Sequence, residues 1–153
     1  MFNKHRPLIG SIFVVASLAA GWTAYAQVTR PYRTGSAWDI AFIRMKPGME
    51  TAYLNYVATD WKREQEALKK EGLIISYRVI STEPHNPGDF NLLLMTEYKS
   101  LAALEAAESK IDAVAQKLWG SDAKIQQGYK ERLEIREVLG NRLGREIVLE
   151  PRQ

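Results

Sequence analysis

Few residues in this chain are of a type that could do acid–base, metal or nucleophilic chemistry. His85 is the first suspect, within STEPHNPGDFN at residues 81–91. Pro84 and Pro87 each remove a backbone donor, and Pro87-Gly88 suits a type II turn. His85 is therefore expected at the tip of a loop, as a turn residue in water. Metal sites for zinc or copper want several His or Cys ligands. The chain has no cysteine and only one histidine besides His85, the His5 near the start. No D-x-D-x-D calcium loop, G-x-S-x-G elbow, G-x-G-x-x-G turn or G-x-x-x-x-G-K loop occurs. The reading is no metal and no cofactor, haem included.

Charges inside apolar runs are a second signal. Asp39, Arg44, Arg78 and Glu97 interrupt alternating segments, and a buried charge is costly unless paired. Arg44 and Glu97 are the catalytic candidates, one or the other to bind a carboxylate ligand or to polarise a substrate, with pairing across the sheet or a dimer as the plainer account. Trp38, Tyr53, Tyr56, Trp61, Tyr77 and Tyr98 form an aromatic set. Rings with one polar tip suit a concave small-molecule site. Tyr53, Trp61 and Tyr77 are the candidate ligand-binding residues, against a plain core role. Arg136, Arg142 and Arg145 read as an anion site or, more simply, as surface partners of Glu134, Glu137 and Glu146.

The elements that must position these residues follow from hydropathy. Residues 37–45 alternate as a strand, with apolar side chains on both faces. Met49 to Glu71 lacks Gly and Pro, and Gly72 follows as a C-terminal cap. Leu73–Ser81 and Phe90–Tyr98 are two strands joined by the Pro/Gly loop. Ser100 caps a helix over Leu101–Trp119. A third helix is expected over Asp122–Leu139, because a strand at 133–139 would put charges on both faces. Arg145–Glu150 is the last strand. This β-α-β-β-α-(α)-β order predicts an α+β, ferredoxin-like domain over residues 37–150, with an antiparallel four-stranded sheet.

Residues 1–26 read as a signal peptide. Lys4 and Arg6 precede the apolar run Leu8–Trp22, and Ala24-Tyr25-Ala26 fits a small-x-small cleavage site. Cleavage between Ala26 and Gln27 would leave a periplasmic or secreted protein, with residues 27–36 as a flexible lead-in; an uncleaved membrane anchor is the alternative. The chain carries 21 basic and 18 acidic residues, and losing the leader brings the basic count to 19. That near-balance gives no electrostatic case for nucleic acid or an anionic membrane. Helices can cover one sheet face, yet both faces are apolar, which predicts a homodimer closed over the second face.

The strand ending in Met45-Lys46-Pro47-Gly48, the long Tyr/Trp-bearing helix ending at Gly72, and the following hairpin resemble the dimeric α+β barrel superfamily. Trp61-Lys62, GLIISYR at 72–78 and REVLGNRLGREIVL at 136–149 are similar to a group of uncharacterised exported bacterial proteins of that type. The resemblance implies two facing ferredoxin-like sheets and a pocket between sheet and helices. The superfamily includes cofactor-free monooxygenases, isomerases, dehydratases, haem enzymes and binders, so fold does not select among activities. Two functions stay open: a binder of a small hydrophobic or aromatic molecule, with or without cofactor-free chemistry, and a non-catalytic structural or interaction subunit of an envelope assembly.

Overall fold

The structure, a computed structural model, describes residues 30–150. The expected leader and its cleavage site lie outside the described residues. The elements run β1 (Tyr32–Met45), α1 (Glu50–Tyr56), a π turn (Val57–Trp61), α2 (Lys62–Lys70), β2 (Ser76–Ser81), β3 (Leu92–Tyr98), α3 (Leu101–Trp119), α4 (Asp122–Leu133) and β4 (Arg136–Leu149). The sheet order is β2-β3-β1-β4 and every neighbouring pair is antiparallel. This is an α+β architecture with the element order of the ferredoxin-like plan. No helix among the described residues is long and apolar enough to cross a membrane.

Local chemistry explains the helix ends. The Ser100 hydroxyl accepts from the Ala103 N–H at 3.1 Å, and Gly120, at φ 97°, ends α3. Ser121 repeats the cap for α4. At the end of α2 the Gly72 N–H reaches the Lys69 carbonyl and the Leu73 N–H the Leu68 carbonyl, both at 3.0 Å. That crossed pair needs a left-handed residue, and Gly72 supplies it at φ 69°.

Register assigns the two faces of the sheet. Ala37, Ala41 and Ile43 pair with Tyr98, Leu94 and Leu92, and this side carries the buried residues beneath the helices. Trp38, Ile40 and Phe42 pair with Glu97, Met95 and Leu93 on the opposite, open face. The core under the helices has two lobes. One gathers Ile43, Met45, Tyr53, Val57, Leu92 and Leu94; the other gathers Ala37, Leu68, Ile74 and Tyr98. Between them in β3 sits Thr96, whose hydroxyl bonds the Gln65 side-chain oxygen at 3.0 Å, both residues being buried.

β1 and β4 differ most from the expectation. β1 begins at Tyr32, within the segment read as a loose lead-in, because Tyr32, Arg33 and Thr34 pair with Leu149, Val148 and Ile147. Two irregularities interrupt that ladder, between Thr34 and Ala37 and between Phe42 and Ile43. At the first, the Glu146 carboxylate takes the Ser36 N–H and hydroxyl at 3.3 and 3.2 Å. The third helix stops at Leu133, and β4 starts at Arg136 rather than Arg145. Gly140 and Gly144 therefore lie inside a strand instead of bounding it. A Cβ at Gly144 would meet Ile40 at 3.5 Å, an ordinary contact, so this glycine sits in the strand without breaking it.

Two outcomes are expected. Thr96→Val strands a buried Gln65 and should cost about 1–3 kcal/mol in urea unfolding. The double variant with Gln65→Leu should lose less than the two single losses combined. Asp39 lies on the helix face opposite Thr96. Burial raises its carboxyl pKa above 3.8, partly opposed by a bond from the Ile40 backbone. A raised folded pKa contributes stability below the unfolded value, and that contribution is lost as pH rises through the folded one. Asp39→Asn should therefore raise Tm at pH 7, and the gain should shrink as pH falls toward 3.8.

Candidate functional site

The first helix carries half of the aromatic set, and the π turn sets its aim. In a regular helix each four-residue step overshoots a full turn by about 40°. Tyr53, Val57 and Trp61 would drift around the axis. The Lys62 N–H bonds the Val57 carbonyl, five residues back, and the wider turn undoes the drift. Tyr53 is 1% exposed and Trp61 packs against the same core lobe. Tyr53 stacks on Tyr56 with ring centroids 5.7 Å apart, and Trp61 meets the Tyr77 ring edge-on at 5.4 Å.

A cavity of about 250 Å³ lies between this helix and the sheet. Tyr53, Tyr56 and Trp61 form its helix side, and Ala41, Ile43 and Val138 are among its sheet residues. Tyr129 and Asn141, both exposed, complete the lining together with Arg136. Tyr77 lies outside it. Its hydroxyl donates to the Glu66 carboxylate at 2.5 Å, which raises its own pKa, and its ring buttresses Trp61. Of the three expected ligand residues the structure brings two to the cavity and sets the third behind one of them.

Of the three arginines that the sequence offered as an anion site or as surface partners of nearby acids, the structure exposes Arg142 and Arg145 and buries Arg136. It is the first residue of β4, paired with Met45, and is 5% exposed. Its Nε and Nη1 are buried with no hydrogen-bond partner among the described residues. The guanidinium carbon lies 5.1 Å from the Tyr129 ring centroid and 5.8 Å from that of Tyr53. Burial pushes the Tyr53 phenol up to about 12, with the Arg136 charge pulling the other way. Tyr56 is raised too, by burial first, against the nearby Arg132 charge. Both phenols are protonated at neutral pH, so neither is a counter-ion, and the Tyr53 oxygen accepts from the Arg136 side chain.

Tyr56 is also a wall of a second cavity, about 600 Å³, between the first helical segment and α3 and α4. Asp60, Glu64 and Glu131 line it with Lys124 and Arg132, so its charge is mixed. Burial raises the Glu64 pKa, opposed by a bond from Trp119 and by the Arg132 charge.

Arg44 and Glu97 lie on the open face, across the sheet from Tyr53 and Trp61. Arg44 is ion-paired with Glu137, and Glu97 accepts from the Ser76 hydroxyl at 2.5 Å. Neither lines the cavity, so the catalytic candidates and the expected ligand residues do not form one site. His85 is exposed in the 82–91 loop, its N–H held by the Asp89 carboxylate at 3.2 Å. That loop touches the open face, where Phe90 packs edge-on against Phe42 at 4.9 Å. Among the described residues no group of three His, Cys, Asp or Glu is placed to hold a metal ion.

No protein-family model and no curated protein matches the chain. Among solved structures it is similar to HapK from Hahella chejuensis, at 12% identity and TM-score 0.46, over 72% of this chain and 91% of HapK. It is similar to a NipSnap family protein of unknown function from Agrobacterium tumefaciens, at 15% identity and TM-score 0.46, over 76% of this chain and 90% of that one. A further crystal structure from Agrobacterium tumefaciens aligns at 18% identity and TM-score 0.42, over 73% and 90% of the two chains.

Proposed function

We propose that this chain is a periplasmic binder of a small apolar or aromatic molecule, held between the first helix and the sheet, in a dimeric α+β barrel. One observation carries the binding reading: rings of Tyr53, Tyr56 and Trp61 face sheet residues across about 250 Å³ of unfilled space. The space opens to solvent past Tyr129 and Asn141, and a concave cleft walled by rings with a few polar groups is the kind of surface that takes a small molecule. The cavity lining contains protonated phenols and no carboxylate, which favours binding over base-catalysed chemistry. Export rests on the leader pattern of residues 1–26.

The dimer rests on the open face. Ile40 and Met95 pair at its centre, with Trp38, Phe42, Leu93 and Ile80 around them. Arg78 lies over Trp38 at 5.4 Å and Phe90 packs on Phe42, which covers only part of the patch. A second copy of the same face buries the rest.

Two experiments test these readings. Ligand-observed NMR with indole as a neutral aromatic probe should show saturation transfer to the bound probe. Ala41→Leu should fill the cavity and abolish that transfer while leaving the circular dichroism spectrum unchanged. Transfer that survives the filled cavity places the binding elsewhere. Native mass spectrometry should give a dimer, and Ile40→Glu a folded monomer. A monomeric wild type removes the barrel from the proposal.

A further inference from the structure

We propose that the ligand of this cavity is an organic carboxylate: its carboxylate pairs with the Arg136 guanidinium and its flat apolar body lies among Tyr53, Tyr56 and Trp61. The proposal rests on the binding role above and names the chemical class that the site selects.

An arginine does not discharge on burial, because its pKa is far above neutral. A buried guanidinium therefore keeps its desolvation cost unless something pairs with it. Arg136 is 5% exposed, and its Nε and Nη1 have no partner among the described residues. The cavity lining holds no Asp or Glu. The adjacent acid in sequence, Glu137, points to the other face and is taken by Arg44. The Tyr53 and Tyr129 rings lie 5.8 and 5.1 Å from the guanidinium carbon, and the Tyr53 oxygen that bonds the Arg136 side chain is a neutral acceptor that leaves the charge uncompensated. A carboxylate meets a guanidinium along one edge, through Nη2 and either Nε or Nη1, and supplies the charged acceptor that this lining lacks.

The rest of the lining selects the body that carries it. An apolar cavity of about 150 Å³ accepts benzene. The 250 Å³ here has room for one ring, a carboxylate and a short spacer. Bare inorganic anions would leave the aromatic walls unfilled. The larger cavity beside it also borders a buried unpartnered nitrogen, Arg132 Nε, but its lining carries Asp60, Glu64 and Glu131, which repel an anion.

The test is calorimetric titration of protein made from the full 153-residue chain with paired probes, benzoate and benzyl alcohol. The two share a ring and differ in charge. Benzoate should bind at least about tenfold more tightly, since hydrogen bonds to charged groups carry that much. Arg136→Met should erase the preference while the alcohol still binds. Arg136→Lys keeps a cation in place, so the fold is retained, but loses the two-pronged contact and most of the preference. Equal affinity for the two probes overturns the carboxylate class and leaves the cavity reading standing. Binding of neither probe overturns both. A Lys variant with undiminished preference, or phosphate binding as tightly as benzoate, overturns the pairing assigned to the Arg136 fork.

Discussion

The irregularity in β4 opposite Phe42 and Ile43 is the constraint on which the site depends. C-terminal to it, Asn141 pairs with Ala41, so odd-numbered residues of β4 face the helices. N-terminal to it, Val138 pairs with Ile43 and Arg136 with Met45, so even-numbered residues do. Leu139 is the extra residue, and Gly140 at φ 152° supplies the backbone shape. With an unbroken ladder Glu137 would oppose Met45 and face the helices, and Val138 would share the open face with Arg44. The bulge puts a cation where a carboxylate would have been and sends that carboxylate to Arg44 on the far side. One inserted residue therefore sets the sign of charge in the cavity.

The interior beneath the helices carries polar groups in two different conditions. Thr96 and Gln65 satisfy each other between the core lobes, a pairing that fixes α2 over β3. Asp39 and the Tyr53 phenol respond to burial by holding protons more tightly, so the burial of a charge is eased by titration. Arg136 has neither escape. Two of its nitrogens are buried without a partner among the described residues, as is Nε of Arg132, and Arg136 sits where the rings of Tyr53, Tyr56 and Trp61 leave space beside it. The π turn works to the same end, because it keeps Tyr53 and Trp61 over one stretch of sheet.

Much of the plan was legible from local signals. Ser100, Gly120 and Ser121 mark helix ends by capping chemistry that depends on neighbours in sequence, and the helix from Leu101 to Trp119 has the bounds that those signals set. Alternation in 92–98 likewise separates Leu92, Leu94 and Tyr98 from Leu93, Met95 and Glu97. The errors lie where a long-range partner overrides a local cue. Residues 32–36 are polar, yet β4 pairs with them. Gly140 and Gly144 punctuate the sequence like turns, yet the first shapes a bulge and the second pairs with Trp38 inside the ladder. Periodicity within one segment carries no information about such partners.

Arg136 was legible as one of three arginines of a possible anion site, but its burial was missed for the same physical reason. A strand through 133–139 was rejected because it would place charges on both faces, and that is what the structure contains: Arg136 inward, Glu137 outward. The cost of burying a charge was weighed as evidence against the strand. The cost is real, and the fold bears it by pairing Glu137 with Arg44 and leaving Arg136 unpaired. A local rule broken with no visible compensation marks a site where the compensation comes from outside the chain. The useful signal in the sequence was thus the charge pair Arg136-Glu137 in an otherwise strand-like run. A charge that breaks alternation there has either a partner across the sheet or a ligand, and register decides between the two.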